Sequence, residues 1–485
     1  MAVRIYNTQT HQKEDFVPLH EGEVRMYVCG PTVYDYLHVG NFRGAIFFNM
    51  VRNWFEHQGF KVTYVYNYTD VDDKIINRAK QEGVDSAEIA ERYIKEFQKD
   101  YGDLKLRPHS RNPRVTEFMS EIIEFVEELI KNGKAYVVDN EVYYDVHAFD
   151  GYGKLSNKNL DDLEAGHRVD VDERKKHPAD FALWKAAKEG EPSWPSPWGK
   201  GRPGWHIECS TMARTILGDT IDIHGGGLDL VFPHHENEVA QSEGCTGKPF
   251  VRYWMHNNMI NFGDQKMSKS LGNIRTARSF LEQYNAEILK FMMLSSHYRS
   301  TTDLSEEQIH RSIAGLARIY SAMAHAEVLI QAPLELAPLP DKFEKAINEA
   351  DEGIAKALDD DFNTPEVMAR IYEVIRLYNN LARTPGKVTA DKKALAEVFL
   401  HWMKNKGTLM ALFQENPAEY LRVLDDMLLE DKGLKRSDID QLVTARSQAR
   451  TDKNWAESDR IRDELAAKGI AVQDSPEGTV WEVAK

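Results

Sequence analysis

Three cysteines in 485 residues are too few for a disulfide framework, which leaves each one free to be a metal ligand, a nucleophile or a buried apolar residue in a reducing compartment. No run approaches the ~20 consecutive apolar residues that cross a bilayer. The opening Met1-Ala2-Val3-Arg4-Ile5-Tyr6 enters a mixed polar segment rather than an apolar stretch with a small-residue cleavage site. Neither membrane insertion nor export is expected, and the cytoplasm is the expected location. An excess of positive charge is missing as well: 61 Lys and Arg against 77 Asp and Glu leave a formal charge of −16. That balance excludes a protein that coats nucleic acid by bulk electrostatics, so any RNA contact must be regional. Residues 432–468 carry nine Lys or Arg and seven Asp or Glu, 9 − 7 = +2, a balance that a solvated helical face would show equally. Internal repeats and low-complexity segments are absent.

What is present is an ordinary globular composition, 42% hydrophobic and 28% charged, in a chain long enough for roughly three to four domains. Glu23–Cys29 reads as a strand, Asn41–Gly59 as a helix with an apolar stripe and Lys61–Tyr68 as a second strand. This is a βαβ unit. Right-handed units of this kind build parallel sheets with ligands at the strand carboxyl ends, so a ligand is expected at the loop from Gly30 to Gly40. Thr116–Lys131 is a strongly amphipathic helix, followed by a hairpin over Lys134–Val146 turning at Asp139-Asn140. Residues 150–205, rich in Gly, Pro, Lys and Asp and holding Trp184, Trp194, Trp198 and Trp205, read as an inserted lobe, with the sheet resuming near 206. Ser305 to about Leu412 is helical in period throughout, punctuated by Pro365 and Pro385. In the tail, Ser437 with Asp440 predicts a capping-box start, Gly469 a helix stop, and Ile470–Val483 a hairpin around Pro476-Glu477-Gly478.

Three constellations carry chemistry. His38-Val39-Gly40-Asn41 lies between a strand and a helix start, where backbone N–H groups favour phosphate and Gly40 admits a nucleotide closely; a plain helix start reads the same way. Lys266-Met267-Ser268-Lys269-Ser270, followed by Leu271-Gly272-Asn273, puts two lysines on a Gly-flanked loop suited to a polyphosphate, or simply solvated. The third is Cys29 at the end of the first strand, Cys209, and the pair His234 and Glu238. Spacing i, i+4 places that pair on one helix face. Two thiolates, an imidazole and a carboxylate suit Zn²⁺. Buried cysteines beside a polar helix start fit these scattered residues equally well.

Together, His-x-Gly-x and Lys-Met-Ser-Lys-Ser resemble the paired motifs of class I aminoacyl-tRNA synthetases. The resemblance implies attack of a carboxylate on the α-phosphate of ATP, with His38 and Asn41 at the phosphates, Lys266 and Lys269 at the departing pyrophosphate, and Mg²⁺ accompanying ATP. Asn41 stands where the general class motif has His. Gly30-Pro31-Thr32-Val33-Tyr34-Asp35, Asn67-Tyr68-Thr69-Asp70-Val71-Asp72-Asp73-Lys74, Gly204-Trp205-His206-Ile207-Glu208-Cys209 and His224-Gly225-Gly226-Gly227-Leu228-Asp229-Leu230 through Glu238 resemble the cysteinyl-tRNA synthetase family, through nearly the whole chain.

That resemblance implies one zinc on Cys29, Cys209, His234 and Glu238, joined by the substrate's own thiolate, which separates cysteine from near-isosteric serine without an editing domain. Cys245 matches no ligand position. Gly30, Thr69, Trp205 and His224 are implied as walls and polar contacts for cysteine, though aromatic and His residues are often core. Asp229 is suited to the ATP ribose hydroxyls, with a turn-capping Asp as the rival reading. Arg450, Asp459 and Asp474 are implied as anticodon readers, against a reading as helix-surface salt bridges. The implied partners are tRNA(Cys), L-cysteine and ATP, with a monomeric enzyme. The expected fold class is α/β: a Rossmann-type catalytic domain in two halves, 1–119 and 206–262, around a connective lobe at 120–205. A stem-contact region at 263–310, an all-α bundle at 311–425 and a small α/β module at 426–485 follow. A related ligase that gives cysteine to an amino-sugar conjugate in thiol biosynthesis is the alternative, and it would lack the terminal module.

Overall fold

The computed structural model describes residues 2–159, 174–262, 265–266, 276–475 and 478–485. It divides into two compact units, one of Met1–Phe280, Met293–Asp303 and Gly353–Val367, the other of Leu281–Met292, Leu304–Glu352 and Met368–Lys485.

In the first unit a small hairpin, β1 (Arg4–Asn7) and β2 (Gln12–Asp15), precedes the βαβ unit β3 (Glu23–Val28), α1 (Asn41–His57) and β4 (Lys61–Tyr66). Both strands end one or two residues before the expected limits, because Cys29 and Asn67 already leave the ladder for the site. Helices α2 (Asp73–Glu82), α3 (Ser86–Asp103) and α4 (Met119–Lys131) follow, α4 after a 3₁₀ turn at Val115–Phe118 that takes up the first residues of the predicted helix. Strands β5 (Ala135–Val138), β6 (Glu141–Tyr144), β7 (Phe181–Ala186) and β8 (Gly201–Pro203) make a separate antiparallel sheet, its first hairpin turning at Asp139-Asn140 as expected. The chain then enters helix α5 (Trp205–Leu217), not a strand, so Cys209 is helical, and the parallel sheet resumes only at β9 (Ile221–Gly227). Helix α6 (Glu236–Thr246) leads to β10 (Val251–Asn257).

The central sheet is fully parallel in the order β10-β9-β3-β4. Its strands are hydrophobic on both faces, as a sheet covered on both sides requires. Val24, Met26, Val65, Ile221, Ile223 and Met255 are all fully buried. Short strands β11 (Ile260–Phe262), β12 (Gln265–Lys266) and β13 (Thr302–Asp303) pair beyond it, with α7 (Ala277–Gln283) and α8 (Ala286–Leu294) between.

Helices α9 (Glu306–Ile330), α10 (Asp341–Asp359), α11 (Thr364–Ala382) and α12 (Ala390–Met410) match the helical periodicity, and a further helix, α13 (Pro417–Asp431), follows beyond its expected end. By length and composition alone α9 is long and apolar enough to cross a membrane, but Arg311, Arg318 and Glu327 interrupt it, so it holds no run of ~20 consecutive apolar residues. Half of its most apolar stretch is buried within the protein, where α9 packs on α12 and α13. The tail holds α14 (Arg436–Thr451), α15 (Trp455–Ala467) and an antiparallel pair, β14 (Ile470–Ser475) and β15 (Gly478–Val483), with Gly469 left-handed after α15 as predicted. The turn residues Pro476 and Glu477 lie outside the described residues. The predicted capping box does not form. Helix α14 already includes Ser437, and its hydroxyl bonds to Asp438 at 3.3 Å instead of capping the helix.

Candidate metal centre and nucleotide cleft

The carboxyl ends of β3 and β9 and the start of helix α5 deliver the side chains. Cys29 follows β3, Cys209 sits in the second turn of α5, and His234 and Glu238 arrive after β9. The backbone kinks at extended Phe232, and from Pro233 onward it is helical through His234 and His235 into α6. His234 and Glu238 therefore share one face, His234 Nε2 lying 3.1 Å from Glu238 Oε1. The Cys29 sulfur is 3.7 Å from that of Cys209, 3.6 Å from His234 Nε2 and 3.5 Å from Glu238 Oε1. All four donor atoms fall within 4.8 Å of one another, an arrangement that could hold a metal ion.

Charge in this buried cluster is strongly conditioned. Burial opposes ionisation of Glu238, yet the imidazoles of His224 and His234 outweigh it and hold the carboxyl at about 2. Burial likewise opposes a charge on His234, and Glu238 with Cys209 lifts the ring to about 10. The Cys29 thiol donates to Cys209, which lowers Cys209 to about 6 against its burial, while burial and the same bond push Cys29 up. Around them lies a second layer. His224 Nε2 is 2.9 Å from Glu238 Oε2, His206 Nδ1 is 3.0 Å from His234 Nδ1, and Gln241 donates to the His206 carbonyl and the Ser210 hydroxyl. Burial and neighbouring His234 keep His206 neutral, and its ring holds the His234 nitrogen that faces away from the sulfurs.

Next to the cluster opens a cavity of about 410 Å³, lined among others by Cys29, Gly30, His38, Gly40, Asn41, Trp205 and Asp229. Trp205 is 38% exposed and stacks on His234, ring centroids 4.3 Å apart. His38 N–H donates to Asn41 Oδ1 at 3.0 Å, committing that oxygen and leaving the amide to offer its donor Nδ2 at the start of α1. Of the residues implied for cysteine, Gly30 and Trp205 line this cavity, whereas Thr69 and His224 are buried behind it. Lys266 ends β12, and Lys269 lies outside the described residues. The chain leaving that loop pairs back on the motif: Thr276 bridges His38, Ala277 N–H donates to the Leu37 carbonyl at 2.9 Å, and Arg278 reaches Asp100 at 2.9 Å while covering the Tyr36 ring. Cys245 stands apart, donating to Glu128 at 2.7 Å.

In the tail, Arg446 forks onto Asp474 at 2.7 and 2.9 Å, and Arg450 meets the same carboxylate at 3.0 Å. Asp459 lies on α15, one turn after the exposed Trp455. Reasoning from sequence assigned no role to His206, Asn67 or Arg446. The first two stood inside segments already singled out by resemblance, and that was their only signal.

Residues 15–314 match the class I (C) tRNA synthetase catalytic domain, 354–414 a DALR domain, and 436–481 the cysteinyl-tRNA ligase anticodon binding domain. The fold agrees: a Mycobacterium tuberculosis methionyl-tRNA synthetase solved with methionyl-adenylate superposes with TM-score 0.60 at 14% identity, over 86% of this chain and 94% of that one. The parallel sheet and the cleft at its carboxyl edge are therefore those of a class I aminoacyl-tRNA synthetase. Cysteine–tRNA ligases of Bdellovibrio bacteriovorus and Pelobacter propionicus are 55% and 47% identical, each over 100% of both chains. The chain belongs to the cysteine–tRNA ligase family. The match over 436–481 disfavours the amino-sugar ligase alternative.

Proposed function

We propose that the enzyme activates L-cysteine with ATP, forming cysteinyl-adenylate and pyrophosphate, and then transfers cysteine to the 3′-terminal adenosine of tRNA(Cys), with zinc selecting thiolate against serine. The observation that carries this reading is the convergence of Cys29, Cys209, His234 and Glu238 at the inner end of the cleft. The donor set fits zinc. Tetrahedral bonds of about 2.3 Å to sulfur and about 2.0 Å to nitrogen or oxygen imply ligand–ligand edges of about 3.8 Å for S–S, about 3.5 Å for S–N or S–O and about 3.3 Å for N–O. The corresponding distances here are 3.7, 3.6, 3.5 and 3.1 Å. When bound, zinc supplies a preference for a substrate thiolate over a hydroxyl.

The remaining work falls to the chain. Gly30 and Trp205 wall the amino acid, with Thr69 and His224 supporting from behind. Asp229 takes the ribose hydroxyls, Gly40 gives the nucleotide room, and His38 and Asn41 donate to the phosphates of Mg²⁺-bound ATP. The cysteine carboxylate attacks the α-phosphorus, the bond to the bridging oxygen breaks, and Lys266 and Lys269 balance the charge of the departing pyrophosphate. ATP–pyrophosphate exchange tests the scheme. Cysteine alone should support it, a chelator should abolish it and added zinc restore it. Exchange with serine, or exchange indifferent to chelation, would overturn the substrate assignment.

Arg450, Asp459 and Asp474 are proposed to read anticodon bases. Arg450→Glu would set a second carboxylate against Asp474, 3.0 Å from the present guanidinium. Aminoacylation kcat/KM should then fall about 100-fold, the ~2–3 kcal/mol of one lost bidentate contact, while pyrophosphate exchange stays within twofold. Equal loss of both would refute the division between the cleft and the tail.

A further inference from the structure

We propose that Asn67 is the positioning residue of the cysteine pocket, holding the Gly30 backbone and the Thr69 hydroxyl in one rigid frame beside the Cys209 sulfur. The inference rests on the reading of this cleft as a cysteine-activating site and adds to it a residue that touches neither substrate nor metal.

Asn67 is the first residue beyond β4 and has no exposure to solvent. Its Oδ1 accepts the Gly30 N–H at 2.9 Å, and its Nδ2 donates to Thr69 Oγ1 at 3.4 Å. The Cys209 sulfur lies 3.9 Å from the same Oδ1. One short side chain therefore contacts a cavity wall, a supporting hydroxyl and a sulfur of the metal cluster. The backbone closes the frame: Val33 N–H donates to the Thr69 carbonyl at 3.1 Å and Thr69 N–H to the Pro31 carbonyl at 3.2 Å.

The residue type follows from the frame. Both a donor and an acceptor are needed on a one-carbon stem. Aspartate lacks the donor and would bring a second negative charge against the sulfurs, serine is too short to span both partners, and glutamine carries an extra methylene in a site without room for it. Because Gly30 sits on one side of Cys29 and Asn67 faces Cys209, a loosened frame moves the pocket wall relative to the sulfurs while leaving the ATP side, built from α1 and the end of β9, in place.

The test uses the full-length zinc-loaded enzyme. Asn67→Ala should raise the KM for cysteine in pyrophosphate exchange about 30-fold, leave the KM for ATP within twofold, and retain one zinc per chain by metal analysis. Asn67→Ser, a milder change, should show the same split at about tenfold, and it carries the test if the alanine variant does not fold. In a Thr69→Val background, Asn67→Ala should add less than it does alone, because part of its effect runs through that hydroxyl. Equal shifts in both KM values, no shift in either, or loss of zinc would overturn the proposal and leave Asn67 as ordinary core. Failure of the unaltered enzyme to show cysteine-dependent exchange would instead sink the reading on which the proposal rests.

Discussion

Cys209→Ser is expected to abolish cysteine-dependent pyrophosphate exchange, by on the order of 10³-fold or about 4 kcal/mol of activation free energy, and to drop the zinc-to-protein ratio well below that of the unaltered enzyme. Cys209 is the sulfur most ready to bind a cation, since the hydrogen bond from Cys29 lowers it to about 6. A serine hydroxyl in the same place stays protonated, is a poor zinc ligand and leaves Cys29 without its hydrogen-bond acceptor. Loss of the metal also leaves the buried carboxylate of Glu238 with only imidazoles to balance it. Cys245→Ser is the control. Its thiol bonds to Glu128 and Arg214, away from the cluster, and that variant should keep both zinc and exchange. Retention of zinc and of full exchange by Cys209→Ser would remove the metal centre from the proposed mechanism.

The parts of this molecule legible in sequence are those whose cause is local. The βαβ unit shows because β3 and β4 are hydrophobic runs and α1 carries its apolar stripe, and the bundle shows because its 3.6-residue period is long and uninterrupted. The errors have local causes as well. Trp205 to Cys209 has no strong helix signal, and its helix is set by the tertiary packing that buries Ile207, Cys209 and Met212. The kink at Phe232, just ahead of the His234 and Glu238 face, had no signal in the spacing. The ligand set spans more than two hundred positions and three elements, so no window of sequence contains it; resemblance supplied it. The second layer was illegible for the same reason. His206 has a role only because α5 places it against His234, and Arg446 only because β14 returns Asp474 to α14.

Gly30→Ala is expected to be nearly as damaging as loss of the metal ligand, although it adds a single methyl group. A Cβ at Gly30 would fall on the backbone carbonyl oxygen of Asn67, with Tyr66 Cε1 at 3.2 Å on its flank. Neither neighbour can yield cheaply. The Asn67 carbonyl belongs to the exit of a central strand, and the Tyr66 ring is buried and stacked on Phe97 and His109. The segment from Cys29 to His38 must therefore move, a strap that carries a metal ligand at one end and the phosphate-site His38 at the other. Overpacking of this kind costs on the order of 1–3 kcal/mol of stability, and displacing reacting groups by about 1 Å costs about 100-fold in rate. Gly30→Ala should accordingly lower kcat/KM for cysteine about 100-fold and reduce zinc occupancy, with a lower thermal midpoint but a folded far-UV circular dichroism spectrum. The effect differs in kind from that of Asn67→Ala, which widens the frame and spares the metal, whereas Gly30→Ala pushes on the residue next to a ligand. Full activity in Gly30→Ala would mean that the strap tolerates a shift of an ångström or so, and that the close approach of Gly30 to Asn67 does not set the geometry of the pocket.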